Sequence, residues 1–182
     1  MPRELRTRRL LLRPFSVDDI DDVQRYRTSQ QIQHHADDDA RPHSRARAER
    51  FVRGVLRLAW NSDPQWAIEL DGRAIGHVGL AIREWRQSAD IGYALAESHR
   101  DQGLMTEAAC SVIDYAFTCA GVVKVSAETS IDNIASWRVM EKLGMQREGV
   151  KRSYIVASDG ARSDLVHYGL LREEWEATRP AR

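Results

Sequence analysis

From Trp66 to Leu95 apolar residues fall on every second position in three successive segments, and beyond Leu95 that period of two gives way to a helical one. Trp66, Ile68 and Leu70 are followed by Asp71-Gly72, a dipeptide suited to a tight hairpin turn, and then by Val78, Leu80 and Ile82. Past a polar turn from Arg83 to Ser88, the alternation resumes at Ala89, Ile91, Tyr93 and Leu95. Ala109, Val112, Ile113 and Ala116 then take helical spacing, Val122 to Thr129 reads as a strand, and Ile134 to Leu143 as a helix stopped by Gly144. Tight hairpins join antiparallel strands, whereas a helical crossover returns to a parallel one. The expected fold class is therefore α/β (α+β): a mixed, mostly antiparallel central sheet flanked by helices in three layers.

The flanks fit that plan. Thr7 to Arg13 reads as a first strand closed by Pro14, which cannot donate to a ladder. Ser16 stands three residues ahead of Asp19 in capping-box spacing, and Ile20, Val23 and Tyr26 continue a helix. Ser44 opens a second helix with Phe51, Val52, Val55 and Ala59 on one face. Lys151 to Val156 and Ser163 to Leu170 read as strands around Ser158-Asp159-Gly160, followed by a helical tail containing Trp175. A chain of 182 residues without repeats or a linker is expected to form one domain, 1–182.

Lys plus Arg number 27 and Asp plus Glu 27, so the net charge is +0 and the global footprint of a nucleic-acid binder is missing. The longest run without a polar residue, Ile91 to Ala96, is far short of the roughly 20 that span a bilayer. Met1 to Arg9 leads only into Leu10, Leu11 and Leu12, without the apolar region of a signal peptide. No nucleic-acid or membrane partner is expected, and the expected location is cytoplasmic. Cys110 and Cys119 lie nine apart on one helix, which suits neither a disulfide nor zinc. His34, His35, Asp37, Asp38, Asp39 and His43 lack metal-framework spacing and read as a solvated loop, so no metal is expected. Trp60, Trp66, Trp85 and Trp137 read as core or rim, since no basic stripe accompanies them.

Between Leu95 and Ala108 a polar turn with one glycine joins a strand to a helix N-terminus. The first amides of a helix have no intrahelical partner and carry partial positive charge, so those from Gln102 to Thr106 could hold a pyrophosphate. Gly103 permits close backbone approach, Arg100 could add a charged contact, and Glu107 sits where the helix dipole favours it. On these residues alone an ordinary strand-to-helix turn stays open.

The run His99-Arg100-Asp101-Gln102-Gly103-Leu104-Met105-Thr106 resembles the acyl-CoA motif Q/R-x-x-G-x-G/A of the GNAT N-acetyltransferases. Asn133-Ile-Ala-Ser136-Trp-Arg-Val-Met-Glu141-Lys142-Leu-Gly144-Met145 is similar to N-x-x-S-x-x-x-x-E-K-x-G-F of the RimJ/RimL-type branch, which acetylates ribosomal-protein N-termini. Thr7 to Phe15, Ile91-Gly92-Tyr93, Asp164, Tyr168 and Trp175 also fit that branch. The resemblance implies the GNAT fold, whose splayed sheet holds acetyl-CoA as co-substrate between the strands ending near Leu95 and Thr129. It assigns Leu95, Arg100, Gln102, Gly103, Leu104, Met105, Thr106, Asn133 and Ser136 to that cofactor. Met105 in place of a small residue and Asp101 in place of a frequent glycine make this loop bulkier and more acidic than the pattern.

Acetyl transfer to an amine needs a base for the ammonium, a polarised carbonyl and stabilisation of the leaving thiolate. Glu128, five residues before Asn133, stands at the spacing where related enzymes carry a base; a surface glutamate remains the other reading. Asp90 and then Glu84 follow as candidates. The tyrosine that many family members place seven residues after the asparagine is Met140 here. Ser136 matches instead a serine that the branch directs at the CoA sulfur, although serine is also ordinary in a first helical turn. Asn133 is a helix cap, a contact to the pantetheine arm, or both. With neither cysteine in an acyl-carrier motif, the expected activity is direct transfer to a protein α-amino group or a small amine. The loop with the acidic run corresponds to the acceptor region and could attract a cationic amine. A non-catalytic acyl-CoA sensor is the alternative, and homodimers are common in the branch.

Overall fold

A computed structural model describes residues 2–27, 44–156 and 160–178. The N-terminal elements are β1 (Leu5–Arg6), β2 (Leu11–Pro14), α1 (Ile20–Arg27) and α2 (Arg45–Val55). The meander is β3 (Gln65–Leu70), β4 (Arg73–Arg83) and β5 (Ser88–Leu95). The crossover half holds α3 (Leu104–Thr118), β6 (Lys124–Ser130) and α4 (Ile134–Lys142), and the chain closes with β7 (Gln146–Val156), β8 (Arg162–Leu171) and α5 (Arg172–Ala177). One sheet runs β1-β2-β3-β4-β5-β6-β8-β7, mixed as the period change requires. Among the described residues only the β5–β6 neighbours are parallel.

The β3–β4 turn has Asp71 at φ 51° and Gly72 at φ 76°, two left-handed residues as a tight hairpin turn demands. Ser16 accepts from the Asp18 amide while the Ser16 amide donates 2.7 Å to Asp19 Oδ2, so the expected capping box is present. The core has two compartments because alternating residues feed opposite faces of a sheet covered on both sides. Trp66, Ile68, Val78, Leu80 and Ile91 pack with Val112, Ile113 and Phe117 of α3. Ala67 and Ala74 join Phe15, Val23, Tyr26 and Val52 beneath α1 and α2.

Three expectations are corrected. Thr7 to Arg13 is not one strand: the Thr7 amide donates 3.0 Å to Leu10 O and the Leu10 amide 3.0 Å to Thr7 Oγ1, folding the stretch into a hairpin of β1 on β2. The second helix ends at Val55, so Ala59 lies beyond it. The strand expected from Lys151 begins at Gln146, and irregularities in its pairing with β8 obscure its period. The His/Asp loop at 34–43 and positions 158 and 159 of the last turn lie outside the described residues.

Between β5 and β6 the register holds only at Ser88–Lys124, Ala89–Val125 and Asp90–Ser126. Beyond Asp90 no further pair forms, and the sheet opens there.

Candidate functional site

α3 starts at the point where the sheet opens. Its N-cap, Gly103, is left-handed at φ 72°, ψ 5° and offers no side-chain cap. Asp101 is also left-handed, at φ 58°. Glu107 is the first residue to bond back along the helix, 3.0 Å to Gly103 O. The amides of Leu104, Met105 and Thr106 thus remain for an outside acceptor, in a turn of the kind that forms anion nests. The N-terminal hairpin braces this turn from behind. Arg9 Nη1 donates 3.0 Å to Gln102 O, while Thr7 Oγ1, the Arg9 amide and Arg9 Nε donate 2.6, 2.8 and 2.7 Å to the Glu107 carboxylate. Burial works against ionisation of Glu107, but these donors outweigh it and hold its carboxyl below the usual range.

The turn forms one wall of a cleft of about 430 Å³, with the last residues of β5 and one face of α4 as the others. His99 and Arg100 line one side, and Arg138 and Lys142, one helical turn apart, line the other. Asp101 is the single acidic residue along it among the described residues. A chain of zero net charge has therefore gathered cations around one cleft, which suits a polyanion.

Of the nine residues expected at the cofactor, Leu95, Arg100, Gly103, Leu104, Met105, Thr106, Asn133 and Ser136 line this cleft. Leu95, Leu104 and Met105 are packed in the main core, leaving their backbones to the site. Met105, the bulky departure from the family pattern, thus spends its volume on the core. Gln102 is turned away, its Nε2 donating 3.2 Å to Ser98 O. Asn133 caps α4, its Oδ1 accepting from the Ser136 amide at 3.2 Å. Ser136 meets Tyr93 across the cleft, with Oγ 3.2 Å from the phenol oxygen and its carbonyl accepting from the phenol at 3.1 Å. Burial pushes the Tyr93 hydroxyl up to about 12, against the opposing effect of its hydrogen bond with Ser136. Met140 is 1% exposed in the core and supplies no proton donor.

Sequence reasoning assigned no role to Tyr93, Arg138 or Lys142. Tyr93 reads as one more apolar member of an alternating strand. The helical spacing of Ile134, Arg138 and Lys142 was the available signal for the basic wall.

The carboxylates expected as bases stand apart from the cleft. Glu128 alternates with Val125 and Ala127, which face the main core, so it lies on the other face of β6. There Lys151 Nζ donates 2.6 Å to its Oε1, and His167 Nδ1 lies 2.9 Å from the same oxygen. Partial burial raises the Glu128 carboxyl, but Lys151 and His167 outweigh it, so the group is held below its ordinary value. Asp90 is exposed at the last registered β5–β6 pair, about 10 Å along the strand from Tyr93. Glu84 sits in the turn before β5, at the opposite rim of the sheet.

The Bacillus subtilis protein named "Probable N-acetyltransferase YjcK" is 41% identical over 87 residues, 47% of this chain and 48% of that protein. The chain thus spans about half the length of this curated relative, and 62% of the uncharacterized N-acetyltransferase YoaA from the same organism. Among solved structures, a GNAT-family acetyltransferase from Bacillus anthracis superposes with a TM-score of 0.82 at 22% identity, over 93% of this chain and 99% of that one. Mycobacterium smegmatis RimJ in complex with CoA-disulfide gives a TM-score of 0.79 at 25% identity, over 91% of this chain and 83% of that one. The parted strands and the turn at Gly103 lie within residues 9–146, the stretch matched by the model of the acetyltransferase (GNAT) domain, and the chain belongs to that family.

Proposed function

We propose that the protein is an acetyl-CoA-dependent N-acetyltransferase that moves the acetyl group of the thioester to a primary amine in one step within a ternary complex. The observation that carries this reading is the left-handed Gly103 turn, whose unpartnered helix amides open onto a basic cleft where β5 and β6 part. It supports a pyrophosphate on the amides of Leu104 to Thr106, with Arg100, Arg138 and Lys142 toward the remaining phosphate charge. Beyond Asp90 the free side of β5 offers backbone groups to an amide-bearing arm, as an unpaired strand edge does.

The co-substrate supplies an activated acetyl group; the chain supplies position, hydrogen bonds and a place for the amine's proton. Ser136 Oγ, on the cleft wall, donates to sulfur as negative charge builds there. Glu128, ionised on the opposite face and held low by Lys151 and His167, suits attracting the acceptor ammonium more than keeping its proton, which passes to water or to Asp90. Among the described residues neither Cys110 nor Cys119 lines the cleft, which favours direct transfer over an acyl-cysteine carrier. The acceptor is an α-amino group at a protein N-terminus or a small-molecule amine. The likeness to RimJ favours the first.

Calorimetric titration with acetyl-CoA, followed in the same sample by thiol release on adding N-terminal peptides and small amines, tests the proposal. Binding with amine-dependent release supports the transferase. Binding without release across the panel favours an acyl-CoA sensor, and absence of binding overturns the acyl-CoA reading.

A further inference from the structure

Each of the two hydroxyls facing one another in the cleft has a single hydrogen. The Tyr93 phenol lies 3.1 Å from Ser136 O and 3.2 Å from Ser136 Oγ, so its hydrogen serves one of these acceptors at a time. When it goes to the carbonyl, the Ser136 hydrogen turns back to the phenol oxygen, and the serine shows only lone pairs to the cleft. When it goes to Oγ, the Ser136 hydrogen is released and points elsewhere. Both groups line the same cleft, one on β5 and one on α4, with Asn133 fixing the first turn from below.

We propose that Tyr93 is a positioning residue for acyl transfer, which by donating to Ser136 Oγ directs the serine's own hydrogen at the sulfur as the carbon–sulfur bond breaks. This rests on the transferase reading given above. The amine nitrogen forms its bond to the carbonyl carbon, and the electron pair of the carbon–sulfur bond leaves with sulfur. Of the two protons the ammonium nitrogen loses, one goes to the base before attack, and the other, shed as the amide forms, is the one that sulfur finally takes. Tyr93 and Ser136 keep their own protons throughout. A phenol held near 12 is more than about a thousandfold less acidic than an ordinary thiol, so full transfer from Tyr93 to a thiolate is disfavoured while a hydrogen bond is not. The pair thereby takes up the task that a tyrosine at the Met140 position would perform.

The test is acetyl-CoA-dependent thiol release by the wild type, Tyr93→Phe, Ser136→Ala and the double variant, with acetyl-CoA affinity measured by calorimetry on each. The expected result is a kcat about 10-fold lower for Tyr93→Phe, with KM and affinity for acetyl-CoA within about 2-fold of wild type. The double variant should be no slower than Ser136→Ala alone, because the phenol acts only through the serine. A wild-type kcat for Tyr93→Phe overturns the proposal, as do losses that multiply in the double variant. A rise in KM with unchanged kcat also overturns it, since that is the mark of a strut between β5 and α4. Should Tyr93→Phe not fold, 3-fluorotyrosine at position 93 keeps the ring and the hydroxyl while making the phenol more acidic. A shifted alkaline limb of the kcat–pH profile then supports the proposal, and an unshifted one overturns it. A wild type without turnover removes the transferase reading and this inference together.

Discussion

At the residue scale, the one acidic wall residue of the cleft among the described residues is a mismatch with its basic surroundings. Asp101 is left-handed, a conformation that aspartate and asparagine tolerate better than other non-glycine residues, so its geometry does not need the charge. Asp101→Asn keeps the turn and removes one negative charge from the wall opposite Arg138 and Lys142. At a separation of about 7 Å in water, a unit charge acts on another with about 0.6 kcal/mol. The expected outcome is acetyl-CoA binding about 3-fold tighter in low salt, with the advantage fading as salt screens it. Calorimetric titration at two ionic strengths checks this, and equal affinities at low salt would show that the charge points away. Gly103 was legible only through its motif taken together with the run from Asn133 to Met145, since on the turn residues alone an ordinary strand-to-helix turn stayed open. Tyr93 was not, because alternation reports only which face a residue occupies and never what its hydroxyl meets.

At the element scale, α3 is fixed to the start of the chain by one carboxylate. Glu107 was expected to serve the helix dipole, and it does stand in the first turn. Its hydrogen bonds to Thr7 and Arg9 nevertheless make it the tie between the first hairpin and the Gly103 turn. No periodicity reports a pairing across about a hundred residues, whereas the meander, the crossover and the capping box are local patterns and were readable. Glu107→Gln keeps the shape and loses the charge that attracts Arg9. A hydrogen bond to a charged group contributes about 1.5–3 kcal/mol, and 1 kcal/mol moves Tm by about 2–4 °C in a chain of this size. Thermal unfolding at pH 7 should therefore begin about 3–12 °C lower in the variant. Because the Glu107 carboxyl is held below its ordinary 4.5 in the folded state, its contribution is present above that value and lost as the pH falls through the folded one. The gap between wild type and variant should close in acid, and a gap independent of pH would assign the loss to packing instead.

At the scale of the whole molecule, the fold depends on two compartments pressed on one sheet, and they differ in what they bury. The compartment under α3 and α4 is aliphatic and aromatic, and periodicity marked its residues as it marked Val23, Tyr26, Phe51 and Val52 of the other. The compartment under α1 and α2 is bordered by a half-buried histidine that alternation alone would treat as any inward position of β4. His77 Nδ1 lies 3.0 Å from the Tyr26 hydroxyl, and its ring centroid lies 5.2 Å from that of Phe51. Burial, with a smaller contribution from the Arg27 cation, lowers His77 from 6.5 to about 3. The unfolded chain takes up a proton on this residue below pH 6.5, while the folded chain keeps it neutral down to about 3. Stability is therefore full above 6.5 and declines as the pH falls toward 3, by up to about 1.4 kcal/mol per pH unit from this group alone. Every other titratable group is common to wild type and variant, so the difference between the two isolates His77. His77→Gln retains a hydrogen-bonding partner for Tyr26 and cannot be protonated. Its expected signature is lower stability than wild type at pH 7, from the lost ring contacts, with a shallower decline between pH 6.5 and 4.5 in urea unfolding. Parallel declines in the two proteins would mean that the histidine is hydrated in the folded state, and that the hold of α1 and α2 on the sheet is indifferent to its charge.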